Sequence, residues 1–160
     1  MLNEHLNRLV TQVGADTGCG KLMRQYWQPA ALTEELPDNR PVKAVTLMGE
    51  DLVLYRHGEK KFGLIARTCP HRGADLCFGR LEDGGLRCAF HGWLFDHHGN
   101  CLQQPAEPED SNFHNKIKHT AYPCIERNGI IFTYMGTGNP PPLPAFDCFD
   151  APDAFTFAFK

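Results

Sequence analysis

The 160-residue sequence predicts an all-β domain, an antiparallel barrel or sandwich entered through short N-terminal helices. Two observations predict it. Short runs of β-branched and aromatic residues recur from about residue 40 to residue 135, and turn pairs rich in Gly, Asp and Asn separate them. The strongest of these pairs is Asn128-Gly129, a two-residue hairpin signal between two apolar runs.

In chain order, Leu2, Leu6, Leu9, Val10 and Val13 repeat at helical spacing, so 2–13 reads as an amphipathic helix stopped at Gly14. "KLMRQYWQPA" (21–30) reads as a second helical stretch ended by Pro29, making 1–36 an N-terminal helical segment. The central domain, 37–138, follows as strands. "VKAVTLM" (42–48) and "LVLYR" (52–56) flank a turn at "GED", and "KFGLIAR" (61–67) follows the turn "HGEK". Asp83-Gly84-Gly85 folds "LEDGGLRC" into another hairpin, and "GWLFD" and "NCLQQ" enclose "HHG". "KHTAYPCIER" and "GIIFTYMG" close the set, about eight strands in all. Residues 139–160 begin as an extended Pro-rich linker, "NPPPLPAFDCFDAP", and end on the strand-like "FAFK", as expected of a piece of a longer protein.

Composition is ordinary for a globular chain, with 42% hydrophobic and 22% charged residues and a formal net charge of −3. A nucleic-acid partner calls for a basic patch, and a membrane span for roughly 18 apolar residues in a row; the sequence has neither. The N-terminus lacks the apolar stretch of a signal peptide, and the expected location is the cytoplasm. Seven cysteines, an odd number without scaffold rhythm, favour metal binding or buried thiols over disulfides.

The chemistry concentrates in "TCPHRGADL" and "LRCAFHGWLFD". They place Cys69-x-His71 and Cys88-x-x-His91 sixteen residues apart, each pair at the end of a strand-like run, with a hairpin between that lets the tips face each other. Gly73 and Gly92 follow the histidines, where the backbone must turn sharply. A structural zinc also takes two Cys and two His, but its usual spacing groups like ligands together. A Rieske [2Fe–2S] centre holds one iron by two thiolates and the other by two imidazoles, which suits two loops that each donate one of both.

The two loops resemble the cluster loops of Rieske non-haem iron aromatic-ring oxygenases. "LMRQYWQPA", "PAEPED", "AYPCIERNGIIFTYMG" and "NPPPLPAFD" extend the resemblance toward the oxygenase component of the phthalate 4,5-dioxygenase type. It implies a Rieske-type β fold with a cluster-binding subdomain at two loop tips, Cys69 and Cys88 on the buried iron and His71 and His91 on the exposed one. It implies a flavin/iron–sulfur reductase as electron donor and, as acceptor, a mononuclear Fe(II) in a C-terminal catalytic domain of the same or a neighbouring subunit. It further implies a possible homotrimer of the full-length protein. Respiratory Rieske proteins have a disulfide where this chain has Ala74 and Phe90, and a serine hydroxyl where it has Trp93. Without that hydrogen bond to the cluster, the potential is expected at the low end of roughly −150 to +300 mV.

Other features read as structure. Asp110, His114 and His119 imitate a mononuclear iron triad, but with one residue too many between the first two. Cys77, in the apolar "DLCFG", reads as a buried thiol, and Trp93 as an aromatic covering the cluster; Arg72 is either a solvated charge or part of a docking surface. "ADTGCGKL" lacks the residues of a phosphate loop and reads as a helix boundary, and His97-His98 as a solvated turn. The alternatives are a free-standing Rieske ferredoxin and a zinc-stabilised β module.

Overall fold

Four consecutive residues, Leu52, Val53, Leu54 and Tyr55, are fully buried, and this run organises the molecule. Successive strand side chains point to opposite faces, so a run buried throughout must be covered on both. Val53 and Tyr55 enter one core with Ile65, Leu86, Trp93 and Phe95; Leu52 and Leu54 enter a second with Leu36, Phe62, Leu64 and Ile131. Burying each such aliphatic side chain stabilises the fold by about 1.5–3 kcal/mol.

The structure, a computed structural model, describes residues 2–152. The helices are α1 (Glu4–Thr11) and α2 (Gly18–Met23). The strands are β1 (Trp27–Leu32), β2 (Val42–Leu47), β3 (Glu50–Gly58), β4 (Lys61–Ala66), β5 (Arg80–Glu82) and β6 (Gly85–Arg87). They continue as β7 (Leu94–Phe95), β8 (Cys101–Gln103), β9 (Ala121–Tyr122), β10 (Cys124–Arg127) and β11 (Ile130–Tyr134). All pairings are antiparallel, in three sheets of order β1-β11-β10, β2-β3-β4-β9 and β5-β6-β7-β8. The sheet holding β3 lies in the middle. One of its faces packs on the β11 sheet through Ile131, the other on the β6–β7 sheet through Leu86 and Phe95.

The all-β class and the antiparallel hairpins predicted from sequence are present, with four local corrections. Residues 27–32 form a strand, not a helix end: Pro29 sits on an edge strand beside a register shift, where its missing N–H costs the ladder nothing. The "GED" turn is Met48-Gly49, both at positive φ, and the "HGEK" turn is Glu59-Lys60. "TAYPCIER" is two strands in two sheets, broken at Pro123, whose carbonyl accepts from Tyr134 N at 3.2 Å and Thr133 Oγ1 at 3.0 Å. α1 forms, capped by Asn3 Oδ1 on Leu6 N (2.9 Å), yet buries none of its residues, and Leu6, Leu9 and Val10 stay half-exposed. Thr17 and Gly20, from the phosphate-loop lookalike, start α2: Thr17 Oγ1 accepts from Gly20 N at 3.0 Å. A Cβ on Gly20 would meet the Gly14 carbonyl at 2.0 Å. The strand-like "FAFK" lies outside the described residues.

β6 and β7 carry the second Cys/His loop, and Gly85 sets their approach, since a Cβ there would lie 1.9 Å from the Phe95 carbonyl oxygen. Gly85→Ala is therefore expected to destabilise the domain by about 1–3 kcal/mol or more in denaturant unfolding, as overpacking does. A loss under about 0.5 kcal/mol, the range of neutral surface changes, contradicts this close approach.

Candidate metal centre

Both Cys/His pairs ride on the same backbone turn. In the β4–β5 loop, Cys69 N donates to Ala74 O (2.8 Å) and Gly73 N donates to Cys69 O (3.0 Å). In the β6–β7 loop, Cys88 N donates to Trp93 O (2.8 Å) and Gly92 N donates to Cys88 O (3.1 Å). The glycine in the fifth position has φ 72° in one loop and 73° in the other, a conformation that favours glycine.

An arginine just upstream of each cysteine braces its loop. Arg67 reaches across to Asp75 with Nε at 2.9 Å and Nη2 at 2.5 Å, while Asp75 Oδ1 accepts from Cys77 N at 2.8 Å. The Arg67 guanidinium holds the Asp75 carboxyl at about 2, well below the usual carboxylate range. Arg87 donates to Gly92 O (2.5 Å), to Glu82 Oε2 (2.6 Å) and to Gln103 Oε1 (2.6 Å). Neither arginine belongs to the Cys/His motifs. The shared position, one or two residues before each Cys, was the available signal.

The turns bring the four predicted residues together with thiols inward and rings outward. Cys69 and Cys88 are 2% and 4% exposed, their thiols interact directly, and neither forms a disulfide. Burial, with Cys88 beside it, raises the Cys69 pKa, so a thiolate there needs a compensating positive charge such as a metal. His71 and His91 are half-buried, with ring centroids 4.6 Å apart. Partial desolvation, then His71 and Arg72, lower the His91 pKa, which favours the neutral imidazole that ligates metals. Among the described residues, no three Cys, His, Asp or Glu side chains surround one point. Two thiols on one side and two imidazoles on the other match a pair of irons better than one tetrahedral ion. On donor chemistry and grouping, the residues fit a [2Fe–2S] cluster.

Aromatic rings surround this centre. Trp93, buried, stacks on His71; Phe90, exposed, lies 3.9 Å from His91 between ring centroids; Phe113 meets Trp93 edge-on at 6.4 Å. Phe113 comes from the "EDSNFHNKIKH" segment, which thus reaches the aromatic rings around the centre. The iron-like triad does not assemble: Asp110 is exposed, while His119 is buried with Nε2 donating to Ala66 O at 2.7 Å. Cys77 packs against the core, and burial pushes its thiol up to about 11. Arg72 is exposed. His97 is not a simple solvated residue: it is partly buried and stacks on His57 at 4.7 Å.

Known proteins resemble the chain over most of its length. The family model for the Rieske [2Fe-2S] domain matches residues 26–125. The chain is 44% identical over 138 residues to the oxygenase subunit of phthalate 4,5-dioxygenase of Pseudomonas putida, covering 85% of this chain and 31% of that protein. It is 42% identical over 147 residues to the oxygenase subunit of a tert-butanol monooxygenase / tert-amyl alcohol desaturase of Aquincola tertiaricarbonis, covering 91% and 31%. The chain thus spans about a third of the length of these curated relatives. Among solved structures, dicamba monooxygenase with non-heme iron and dicamba superposes with a TM-score of 0.65 at 32% identity, covering 81% of this chain and 39% of that one. The oxygenase in a reduced oxygenase–ferredoxin complex of carbazole 1,9a-dioxygenase gives 0.65 at 28%, covering 75% and 31%.

The Asp75 brace carries a pH signature. Its folded pKa lies below the ordinary 3.8, so its contribution is full above about pH 4 and is lost as pH falls toward about 2. Asp75→Asn is expected to lower the melting temperature at pH 5–7, with the gap to the unsubstituted chain closing between about pH 4 and 2. A gap that is constant or widens on acidification contradicts the brace.

Proposed function

Because the chain belongs to the Rieske [2Fe-2S] domain family, we propose that Cys69 and Cys88 hold one iron of its cluster and His71 and His91 the other. We further propose that the domain relays electrons within an aromatic-ring oxygenase of the phthalate dioxygenase type. When bound, the cluster accepts and gives up one electron at a time. The observation that carries the reading is the polarity of the site, with thiols sealed in the core and the two imidazoles toward the surface. An electron-transfer partner then needs to reach only the imidazole side.

The chain's own residues divide the work. The buried cysteines keep water from the sulfur side, since core residues Val53, Tyr55, Ile65 and Leu76 pack with them. The braced turns hold the four donors in place, which limits reorganisation during electron transfer. Half-exposed His71 and His91, with Phe90 and Arg72 beside them, form the surface that a flavin/iron–sulfur reductase would meet. The complex of a related oxygenase with a ferredoxin supports a protein donor of this kind. The acceptor in this reading is a mononuclear iron in a catalytic domain outside this chain, in the same or a neighbouring subunit of a homotrimer. In this reading residues 37–138 form the body of the electron-transfer domain, the 1–36 segment adds β1 to it against β11, and 139–160 lead toward the catalytic domain. No helix among the described residues is long and apolar enough to cross a membrane, in keeping with a cytoplasmic location.

Single replacement of each proposed ligand tests the reading. Cys69→Ser, Cys88→Ser, His71→Ala and His91→Ala are each expected to lose the visible absorption and bring iron from about two per chain to near zero. Cys77→Ser and Cys101→Ser are expected to keep both. Full iron in any of the four, or its loss in both controls, overturns the ligand set.

A further inference from the structure

The two imidazoles are proposed to hold the same iron, yet their surroundings differ. The Trp93 indole lies parallel to the His71 ring, 4.5 Å between centroids and 2° between planes. Trp93 belongs to the second loop and His71 to the first, so this stack crosses between the loops. Trp93 is 7% exposed and is backed by Phe95 at 6.4 Å and Phe113 at 6.4 Å, which leaves the indole little freedom to turn. Its carbonyl meanwhile accepts from Cys88 N, so one residue closes the second turn with its backbone and flanks the first turn's histidine with its ring. His91 has a different neighbour. Phe90 comes from its own loop, is 62% exposed and lies tilted by 43°.

We propose that Trp93 is a positioning residue that fixes the plane of the His71 imidazole from the opposite loop, making the two histidine ligands inequivalent. His71 is held by a buried, packed ring; His91 is flanked by an exposed ring that a partner can displace. A packed ring parallel to an imidazole restricts rotation about its side-chain torsions, which an exposed aromatic does not. The inference rests on the ligand assignment above, and it explains why an indole occupies the position after His91-Gly92 when a smaller apolar residue would also fill a core.

Nitrogen hyperfine spectroscopy of the reduced cluster, in chain carrying ¹⁵N-labelled histidine, resolves the two ligand nitrogens and tests the proposal. Trp93→Leu is expected to shift and broaden one histidine coupling and leave the other in place. Trp93→Phe is expected to shift the same coupling by less. Phe90→Leu is expected to leave that coupling unmoved. If Trp93→Leu fails to hold iron, Trp93→Phe decides the matter by the same criterion. Both couplings moving together, neither moving, Phe90→Leu moving the same one, or loss of iron in both Trp93 variants overturns the proposal. An unsubstituted protein without two histidine nitrogens would instead overturn the ligand assignment beneath it.

Discussion

Everything at this centre depends on one backbone device used twice. Each loop closes a cysteine N–H onto the carbonyl five residues later and a glycine N–H onto the cysteine carbonyl. That closure turns the cysteine side chain into the core and leaves the histidine near the surface. It is achieved with glycine at positive φ in both loops, although the histidines stand at different offsets, two residues after Cys69 and three after Cys88. The backbone turn, more than the Cys–His spacing, is what the two loops share. The arginines upstream of each cysteine serve the same end by tying loop carbonyls and carboxylates together.

The remainder of the fold supplies a wall for these turns. β3 and β4 present Val53, Tyr55 and Ile65 on the face toward Cys69 and Cys88, and Leu52, Leu54 and Leu64 on the face toward β11. Strand alternation therefore splits one apolar run between two cores, one structural and one that seals the sulfur side of the centre. Burial of that kind is costly for a bare thiolate and suits one neutralised by a metal. The fold and the chemistry make the same demand on these residues.

Much of this was legible in the residues. Asn128-Gly129 specified its hairpin because both positions take positive φ, and the four Cys and His candidates converge as their two motifs predicted. What was not legible depended on distant partners. Pro29 ends helices in isolation, but here an edge strand accepts it opposite Phe132. Pro123 divides an apparently continuous run because its neighbours find ladders in two different sheets. The Arg67–Asp75 brace and the Trp93–His71 stack join loop positions that no periodicity relates. Phe113 meets Trp93 from a segment whose sequence pattern marks only its histidines.

In the proposed cluster, two buried thiolates hold one iron and two imidazoles hold the other. Mössbauer spectroscopy of the ⁵⁷Fe-loaded, reduced chain addresses this division most directly, because it reports the two irons separately. Two components of equal area are expected, a ferric site with all-sulfur ligation and a ferrous site with mixed nitrogen and sulfur ligation. Two all-sulfur sites, a single isolated iron, or a third iron component would contradict that division.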